Sequence, residues 1–432
     1  MLSTIDWWII GIGALCASAC ALPGTLLVLQ RMSLMGDAIS HTVLPGIAIA
    51  FLITQSRDPI LMLTAAIVIG VLTALLVQII HIYGKVEVGA SMGIVFTVLF
   101  ALGLILIRQA MDYVHIDPDC VLYGSIEFAY FDQVPFLGYM LPRSFIVNGF
   151  IFCLNLLLIL LFYKEFKIAA FDSALAKTHG FKPELMHYFL MTMTAVTVVA
   201  AFESVGSILV IAMLIVPPAT AYLLTDRYSL LIGYSVLFAC LASFFGHLAA
   251  IVVPPWFGFS GTVTSGAIAV AAGVIFILIW FFSPKYGLIM KVCNNIFVRF
   301  KVLAEDILGI LWRLEERKQG SLATSVLSQA IGAHPIFVYI VLKGLIKSDL
   351  IQIKQGLLLL TTNGRSRATT IVRSHRLWEV YLDKHFPQDK FQIHHSASRL
   401  EHITTQDMQS RLGEAKQDPH GSDVPNIDED LE

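Results

Sequence analysis

Charge is scarce in this chain. Asp, Glu, Lys and Arg make up 14% of its 432 residues, against 56% hydrophobic ones, whereas soluble globular domains carry about a quarter charged residues. That shortage excludes an ordinary soluble fold and makes the membrane the class to test. Paired cysteines are lacking too. Cys16, Cys20, Cys120, Cys153, Cys240 and Cys293 sit mostly in apolar runs without CxxC spacing, which points away from a disulfide framework or a thiolate zinc site and toward small packing residues. No GxxxxGK[ST] loop and no HExxH occur. The chain therefore has neither the cradle for ATP phosphates nor the zinc ligands of an intramembrane metalloprotease. No basic stretch or small-residue cleavage site precedes the first apolar run, so the first span is expected to stay in place. The net charge of -2 offers no overall basic field for nucleic acid, although it averages two unlike halves.

Long apolar runs are what the chain has in abundance. About nine reach the ~20 residues needed to cross a bilayer: 5–29, 38–54, 59–82, 88–107, 145–163, 185–202, 204–224, 228–253 and 261–282. Residues 185–224 are interrupted only at Glu203, and one helix of that length would reach about 60 Å, twice the ~30 Å hydrocarbon thickness. A reversal is therefore expected near Glu203–Gly206, with Pro217–Pro218 ending or kinking the second arm. Lys164, Lys167, Lys177 and Lys182 in one loop, and Lys285, Lys291, Arg299 and Lys301 after the last span, place those segments on the cytoplasmic side. The acidic loop with Asp112, Asp117, Asp119, Glu127 and Asp132 suits the outside, as does the N-terminus given an odd number of spans.

Polar residues stand out in such surroundings. Asp37 and His41, at the start of the second run, are four apart and share a helix face, close enough to bind one divalent ion. Their oxygen and nitrogen ligands suit manganese, iron or zinc better than calcium or magnesium. The plainer alternative is Asp37 as a helix cap with His41 as its packed neighbour. Glu203 reads as an outward turn and His247 as a core histidine. Phe171, Asp172, Ala176 and Gly180 belong to a short amphipathic segment in the cationic loop, stopped by Gly180 and Pro183. It is either an interfacial helix or a docking element for a motor protein.

At Gly36-Asp37-Ala38-Ile39-Ser40-His41 with Leu44-Pro45-Gly46, at Phe171-Asp172…Ala176…Gly180 and at Ile215-Val216-Pro217-Pro218-Ala219-Thr220-Ala221, the sequence resembles the ABC-type manganese, zinc and iron permeases over about residues 5–290. The resemblance implies a transmembrane cation site containing Asp37 and His41 and a 171–180 loop that contacts a separate ATP-binding subunit. It also implies a second permease or a second copy of this one, and an extracytoplasmic metal-binding protein that delivers the ion.

Near residue 291 the apolar runs stop, and the remaining part is long enough for one small domain. Residues 321–331 and 335–346 read as helices, 350–353 and 357–361 as a hairpin, and 364–384 and 394–405 as further helices. Helix, turn, helix and wing is the order of a winged-helix DNA-binding domain. His375 and Glu379, and Ser398 and His402, are four apart, so two helices present nitrogen and oxygen ligands toward each other. With Leu360-Thr361-Thr362-Asn363-Gly364-Arg365, Arg373-Ser374-His375-Arg376-Leu377-Trp378-Glu379 and His394…Ala397-Ser398-Arg399-Leu400-Glu401-His402, the tail resembles metal-dependent repressors of the diphtheria toxin repressor type over about 303–425. By that resemblance Asp306, Glu401 and His402 form one metal site, and His375, Glu379 and His394 another or a shared set. Ser398 departs from the Cys or acidic ligand of the family, and Gly309 from the Glu of its manganese-sensing members.

His334, Tyr339, Lys343, Lys347 and Arg365 are the candidate DNA contacts, yet helix 335–346 is strongly apolar for base readout. Anionic lipid is the other partner that the basic residues suggest. Residues 418–432 read as a loose acidic end. The expectation is thus an all-α polytopic membrane protein of about eight to nine transmembrane helices with a C-terminal cytoplasmic winged-helix and helical metal-binding domain. Its parts are 1–290, a linker 291–302, 303–385 and 386–432. The implied function is a bacterial inner-membrane importer subunit for manganese, iron or zinc carrying a metal-responsive regulator; the alternative is a membrane-tethered or released repressor that uses the spans as an anchor.

Overall fold

The computed structural model describes residues 3–32, 34–54, 59–111, 126–136, 138–259, 261–318, 324–354, 356–386, 389–413 and 415–426. It divides into two units, Met1–Met290 and Lys291–Glu432. Asp112, Asp117 and Asp119 of the acidic loop lie outside the described residues, as do 427–432.

In the first unit the helices are α1 (Thr4–Leu29), α2 (Met35–Thr54), α3 (Pro59–Gly84), α4 (Val88–Met111), α5 (Arg143–Leu161), α6 (Tyr163–Phe171), α7 (Ser173–Thr178), α8 (Pro183–Tyr222), α9 (Tyr228–Val252) and α10 (Thr264–Phe282). A small antiparallel hairpin, β1 (Gln133–Phe136) and β2 (Tyr139–Pro142), precedes α5. Among the described residues nine segments are long and apolar enough to cross a membrane. Helices pair most of their backbone groups within the segment, the condition for spanning lipid, with breaks at the internal prolines Pro23, Pro45, Pro217 and Pro218.

The buried centre is α1, packed against α5, α8 and α9. A capping box starts it: the Ser3 amide donates to Asp6 Oδ2 at 2.6 Å, and Ser3 Oγ accepts from the Asp6 amide, using backbone donors that have no intrahelical partner. Asn155 of α5 donates to the Ala19 carbonyl at 3.1 Å and to Thr197 Oγ1 at 2.8 Å, tying α1, α5 and α8 together.

Helix α8 reverses where its length demanded. Gly206 has φ 78° and ψ 167°, a conformation open to glycine, and it separates the arms Pro183–Phe202 and Ser204–Tyr222. His187 of the first arm reaches Gln30 at the end of α1, Thr197 reaches the level of Ala19, and Leu214 of the second arm is back beside Gly24. The arms therefore run antiparallel. The Glu203 side chain lies outside the described ones.

Pro217 and Pro218 do not end this arm, which continues helical to Tyr222. Lacking an N–H, Pro218 leaves the Leu214 carbonyl without its intrahelical donor. That carbonyl sits against the Cα of Gly24, where a Cβ would overlap it. A glycine Cα–H contact at a helix crossing fills the gap.

The second unit is built from α11 (Leu288–Glu316), α12 (Thr324–Ile331), α13 (Pro335–Lys347), the antiparallel hairpin β3 (Ile351–Lys354) and β4 (Leu357–Leu360), α14 (Thr362–His385), α15 (Lys390–Leu400) and α16 (Gln406–Leu412). Leu308 and Leu311 of α11, Leu327, Val338, Leu342 and Leu345, Ile351 and Leu358, and Ala368 and Ile371 form its own core. The expected linker, residues 291–302, is helical and belongs to α11. Their apolar positions recur at helical spacing, which favours a continuous amphipathic helix. The helix expected at 394–405 starts instead at Lys390 and stops at Leu400, followed by a 3₁₀ turn over Glu401–Ile403.

The segment from Asp418 is not loose where it is described. Arg376 Nε reaches Asp418 at 3.6 Å, and Arg373 donates to the Pro425 carbonyl at 2.7 Å.

Candidate metal sites and docking surfaces

In the first turns of α2, His41 Nε2 lies 3.4 Å from Asp37 Oδ1. Both side chains keep part of their surface open, 30% for His41 and 44% for Asp37, so a cation has access. The His41 ring packs on Phe96 and Phe100 of α4, with centroids 5.2 and 5.7 Å away. Thr42 and Thr73 share a hydroxyl hydrogen bond of 2.9 Å between α2 and α3. Gly103 lets α4 close on Pro45, since a Cβ there would fall 2.8 Å from the proline ring. A carboxylate and an imidazole thus lie side by side on one face of a span, with His41 backed by aromatic rings, and together they offer oxygen and nitrogen ligand atoms.

His247 is drawn into a different pair. Its Nε2 lies 3.2 Å from Asp6 Oδ1, between α9 and α1. Sequence reading paired neither residue with the other, because 241 positions separate them.

Within the 171–180 segment, Phe171 ends α6 and Ser173–Thr178 form α7. Asp172 breaks the run between α6 and α7, and its carboxylate accepts from the Ala174 and Leu175 amides at 3.0 and 2.9 Å. Ala176 is buried, Phe171 and Leu175 are exposed, and Gly180 leaves α7 with φ 80°. Exposed Phe171 at the end of α6 and Leu175 on the capped α7 make a surface that a partner can cover.

In the second unit the candidate ligands fall into two groups. His375, Glu379 and His394 offer ligand atoms within 4.8 Å of one another, and so do Asp306, Glu401 and His402. Two helices, α14 and α15, supply the first group. In it His375 Nε2 is 3.1 Å from both Glu379 Oε1 and His394 Nδ1, and His394 is 2.7 Å from that same oxygen. The second joins α11 to the 3₁₀ turn after α15, with His402 Nε2 3.3 Å from Asp306 Oδ1. His375 Nδ1 also lies 2.7 Å from Glu401 Oε2, so one ring touches both groups.

Burial opposes a charge on His402. Hydrogen bonds to Asp306 and Glu305, and the nearby Glu401 charge, outweigh it and lift the pKa to about 9. His375 is likewise raised: burial lowers it, but Glu379 and Glu401 prevail. Burial pushes Glu379 up, and the two histidines more than reverse this, holding it at about 2. Concentrated nitrogen and carboxylate donors of this kind fit a first-row divalent ion, which would displace the protons that now hold the cluster together.

Sequence reading missed Glu305, whose Oε2 lies 2.9 Å from His402 Nδ1, and His420, 3.7 Å from Glu379. Glu305 was detectable as the acidic neighbour of Asp306. His420 had no signal, because only the folding back of the last segment brings it near. Ser398 donates to the His394 carbonyl at 3.0 Å and belongs to neither group.

The candidate DNA residues are placed unevenly. His334 caps α13, accepting from the Ile336 amide at 3.4 Å. Lys343 lies over the exposed Tyr339 ring at 4.7 Å, and Lys347 is exposed one turn on. Arg365 is engaged by Glu315 at 3.0 and 3.2 Å. Exposed Ile336, Phe337 and Ile340 make the rest of that face apolar.

Comparison with known proteins gives two matches along the chain. Residues 4–283 match the ABC 3 transport family, and residues 361–426 match the iron dependent repressor, metal binding and dimerisation domain. The manganese transport system membrane protein MntD of Bacillus subtilis is 44% identical over 289 residues, covering 67% of this chain and 95% of that protein. A probable metal transport system membrane protein of Chlamydia trachomatis serovar D is 26% identical over 434 residues, covering 94% of this chain and 92% of that protein. Among solved structures, PsaBC from Streptococcus pneumoniae in complex with Fab is 29% identical with a TM-score of 0.53, covering 66% of this chain and 94% of that one.

Proposed function

The chain belongs to the ABC 3 transport family, and on that premise we propose that it is the permease subunit of an ATP-driven importer of a divalent transition metal, manganese, iron or zinc. It works in a bacterial inner membrane with an ATP-binding subunit, a second permease or a copy of itself, and an extracytoplasmic metal-binding protein. The observation that carries this reading is the Asp37/His41 pair, partly open and 3.4 Å apart inside a span. An intramembrane carboxylate and imidazole are costly unless they serve a path. The capped helix α7 with exposed Leu175, next to exposed Phe171 at the end of α6, supports an ATPase contact. Import of radioactive manganese, iron or zinc by the permease reconstituted with its partners is the test. Asp37→Ala with His41→Ala abolishes it; unchanged uptake would overturn Asp37/His41 as the ion path, and no uptake by the intact assembly would leave the spans as an anchor only.

The tail is a cytoplasmic metal-responsive regulator. Asp306, Glu401 and His402 would hold one ion and His375, Glu379 and His394 another, each ion exchanging protons for charge and locking α11, α14 and α15 together. The helix, turn, helix and wing order with Lys343 and Lys347 exposed supports operator DNA as its output. A mobility-shift titration of residues 291–432 with manganese, iron and zinc against the upstream DNA of its own operon tests this. No shift at low salt assigns the regulator to transport itself.

A further inference from the structure

Residues 288–299 of α11 are exposed throughout, yet their pattern is that of a helix with one apolar side. Ile289, Cys293 and Phe297 are four apart, and so are Val292, Ile296 and Phe300, which sets two apolar rows beside each other on one face. Further along, the same face closes the core of the tail: Phe300 and Leu303 pack on it partly buried, and Ile307 is fully buried. One stripe thus runs along the helix, covered from Phe300 onward and bare before it. Ile289, Val292 and Ile296 keep 42, 48 and 46% of their surface, and Phe297 68%.

The bare part begins at the level where the spans end. Residues 283–287 join α10 to α11 and are held against the end of α8 and the turn before α9. Ser283 Oγ donates to the Leu223 carbonyl at 2.6 Å, the Tyr286 hydroxyl donates to Asp226 Oδ1 at 3.2 Å, and Lys285 pairs with Asp226.

Charge chooses the occupant of the bare face. No acidic residue occurs from Lys285 to Lys301, and Lys291, Arg299 and Lys301 are exposed. Arg299 and Lys301 lie one on each side of the apolar face, where a long side chain keeps its stem on apolar surface and extends its charge beyond it. Lys301 has Glu305 one turn on, at 3.8 Å. A second copy of the helix packed on this face would bring the cations together across the seam, with no carboxylate from the same turns to pair them. An anionic lipid surface pairs them, each cation near it raising binding about fivefold.

We propose that residues 288–299 of α11 lie in the inner surface of the membrane, with the two apolar rows at the boundary of headgroups and acyl chains and Arg299 and Lys301 on anionic headgroups, and so moor the tail to the bilayer. The proposal rests on the reading of the tail as cytoplasmic. A helix with one apolar side and a cationic rim takes that position in the plane of the interface. Asp306, a candidate ligand of the tail, is on the same helix, so its metal site is assembled on an element that the membrane holds.

Residues 288–432 carry the tail with its own core and a single cysteine, Cys293 on the apolar face, which takes an environment-sensitive fluorophore. Vesicles of phosphatidylglycerol with phosphatidylcholine are expected to shift its emission to the blue and to carry the fragment down on sedimentation. Binding to phosphatidylcholine alone should be about thirtyfold weaker, the share of two cations. Arg299→Gln and Lys301→Gln should each weaken binding to the anionic vesicles about fivefold. Ile296→Asn with Phe297→Asn should remove it and leave the melting temperature unchanged, because both side chains lie outside the core.

No blue shift with anionic vesicles, equal binding to neutral ones, or binding that survives Ile296→Asn with Phe297→Asn overturns the proposal. A shift that grows with protein concentration in the absence of lipid overturns it in favour of a second copy. Cleavage of the tail by a protease added outside intact cells overturns its cytoplasmic placement, and this mooring with it. Vesicle binding is read without import, so its failure leaves the permease reading standing, and a failure of import leaves the mooring standing.

Discussion

Metal loading of the tail should be steeply dependent on pH, with a slope set by His402. In the metal-free tail its pKa is about 9, so at pH 7 it is deprotonated about one time in a hundred. An ion taking that nitrogen must displace a proton, and the apparent affinity rises about tenfold per pH unit between pH 6.5 and 8.5, levelling off above about pH 9. His375, also raised, adds to the slope. Glu379, at about 2, stays ionised throughout and contributes nothing.

The sign is opposite for the stability of the metal-free tail. A raised histidine pKa stabilises the fold fully below the unfolded value of 6.5, and that contribution is lost as pH rises through about 9. Manganese titrations of residues 291–432 in calorimetry buffers of different ionisation heat should therefore register release of about one proton or slightly more at pH 7. The melting temperature of the metal-free tail should fall over the pH range in which affinity climbs. Glu305→Gln removes one carboxylate bonded to His402 and should move the plateau to lower pH. Affinity that stays flat from pH 6.5 to 8.5, with no proton released, would refute the reasoning.

Three further outcomes follow from single contacts. Gly24→Ala puts a methyl on the Leu214 carbonyl and should cost about 1–3 kcal/mol, seen as a lower unfolding temperature in detergent; an unchanged melt would mean that the α1/α8 crossing is looser than described. Asn155→Ala removes the bonds to Ala19 and Thr197, a loss of about 0.6–2 kcal/mol in a membrane bundle, measurable by the same melt. Asp172→Ala removes the cap of α7, about 1 kcal/mol of helix stability. It should reduce ATP-driven uptake while manganese binding to the permease stays intact, and full coupling would count against α7 as the docking helix.

Much of this protein was legible in one dimension because the physics that fixed it is local or nearly so. Apolar length set the spans, since a bilayer accepts only helices of that reach. The excess length of the apolar stretch 185–224 required a reversal, and Gly206 supplies it. Helical periodicity placed Asp37 with His41 and His375 with Glu379, because residues four apart share a face in any helix.

What the tertiary structure decided concerns groups brought together across long separations. Asp6 meets His247, Leu214 meets Gly24, and Glu305 joins His402 across 97 positions. His81, Gln78, Gln30 and His187 line one cavity although they come from three helices. No spacing rule links such residues, since their proximity is set by how helices pack. Periodicity gives each helix its faces; the choice of which faces meet belongs to packing of the whole bundle.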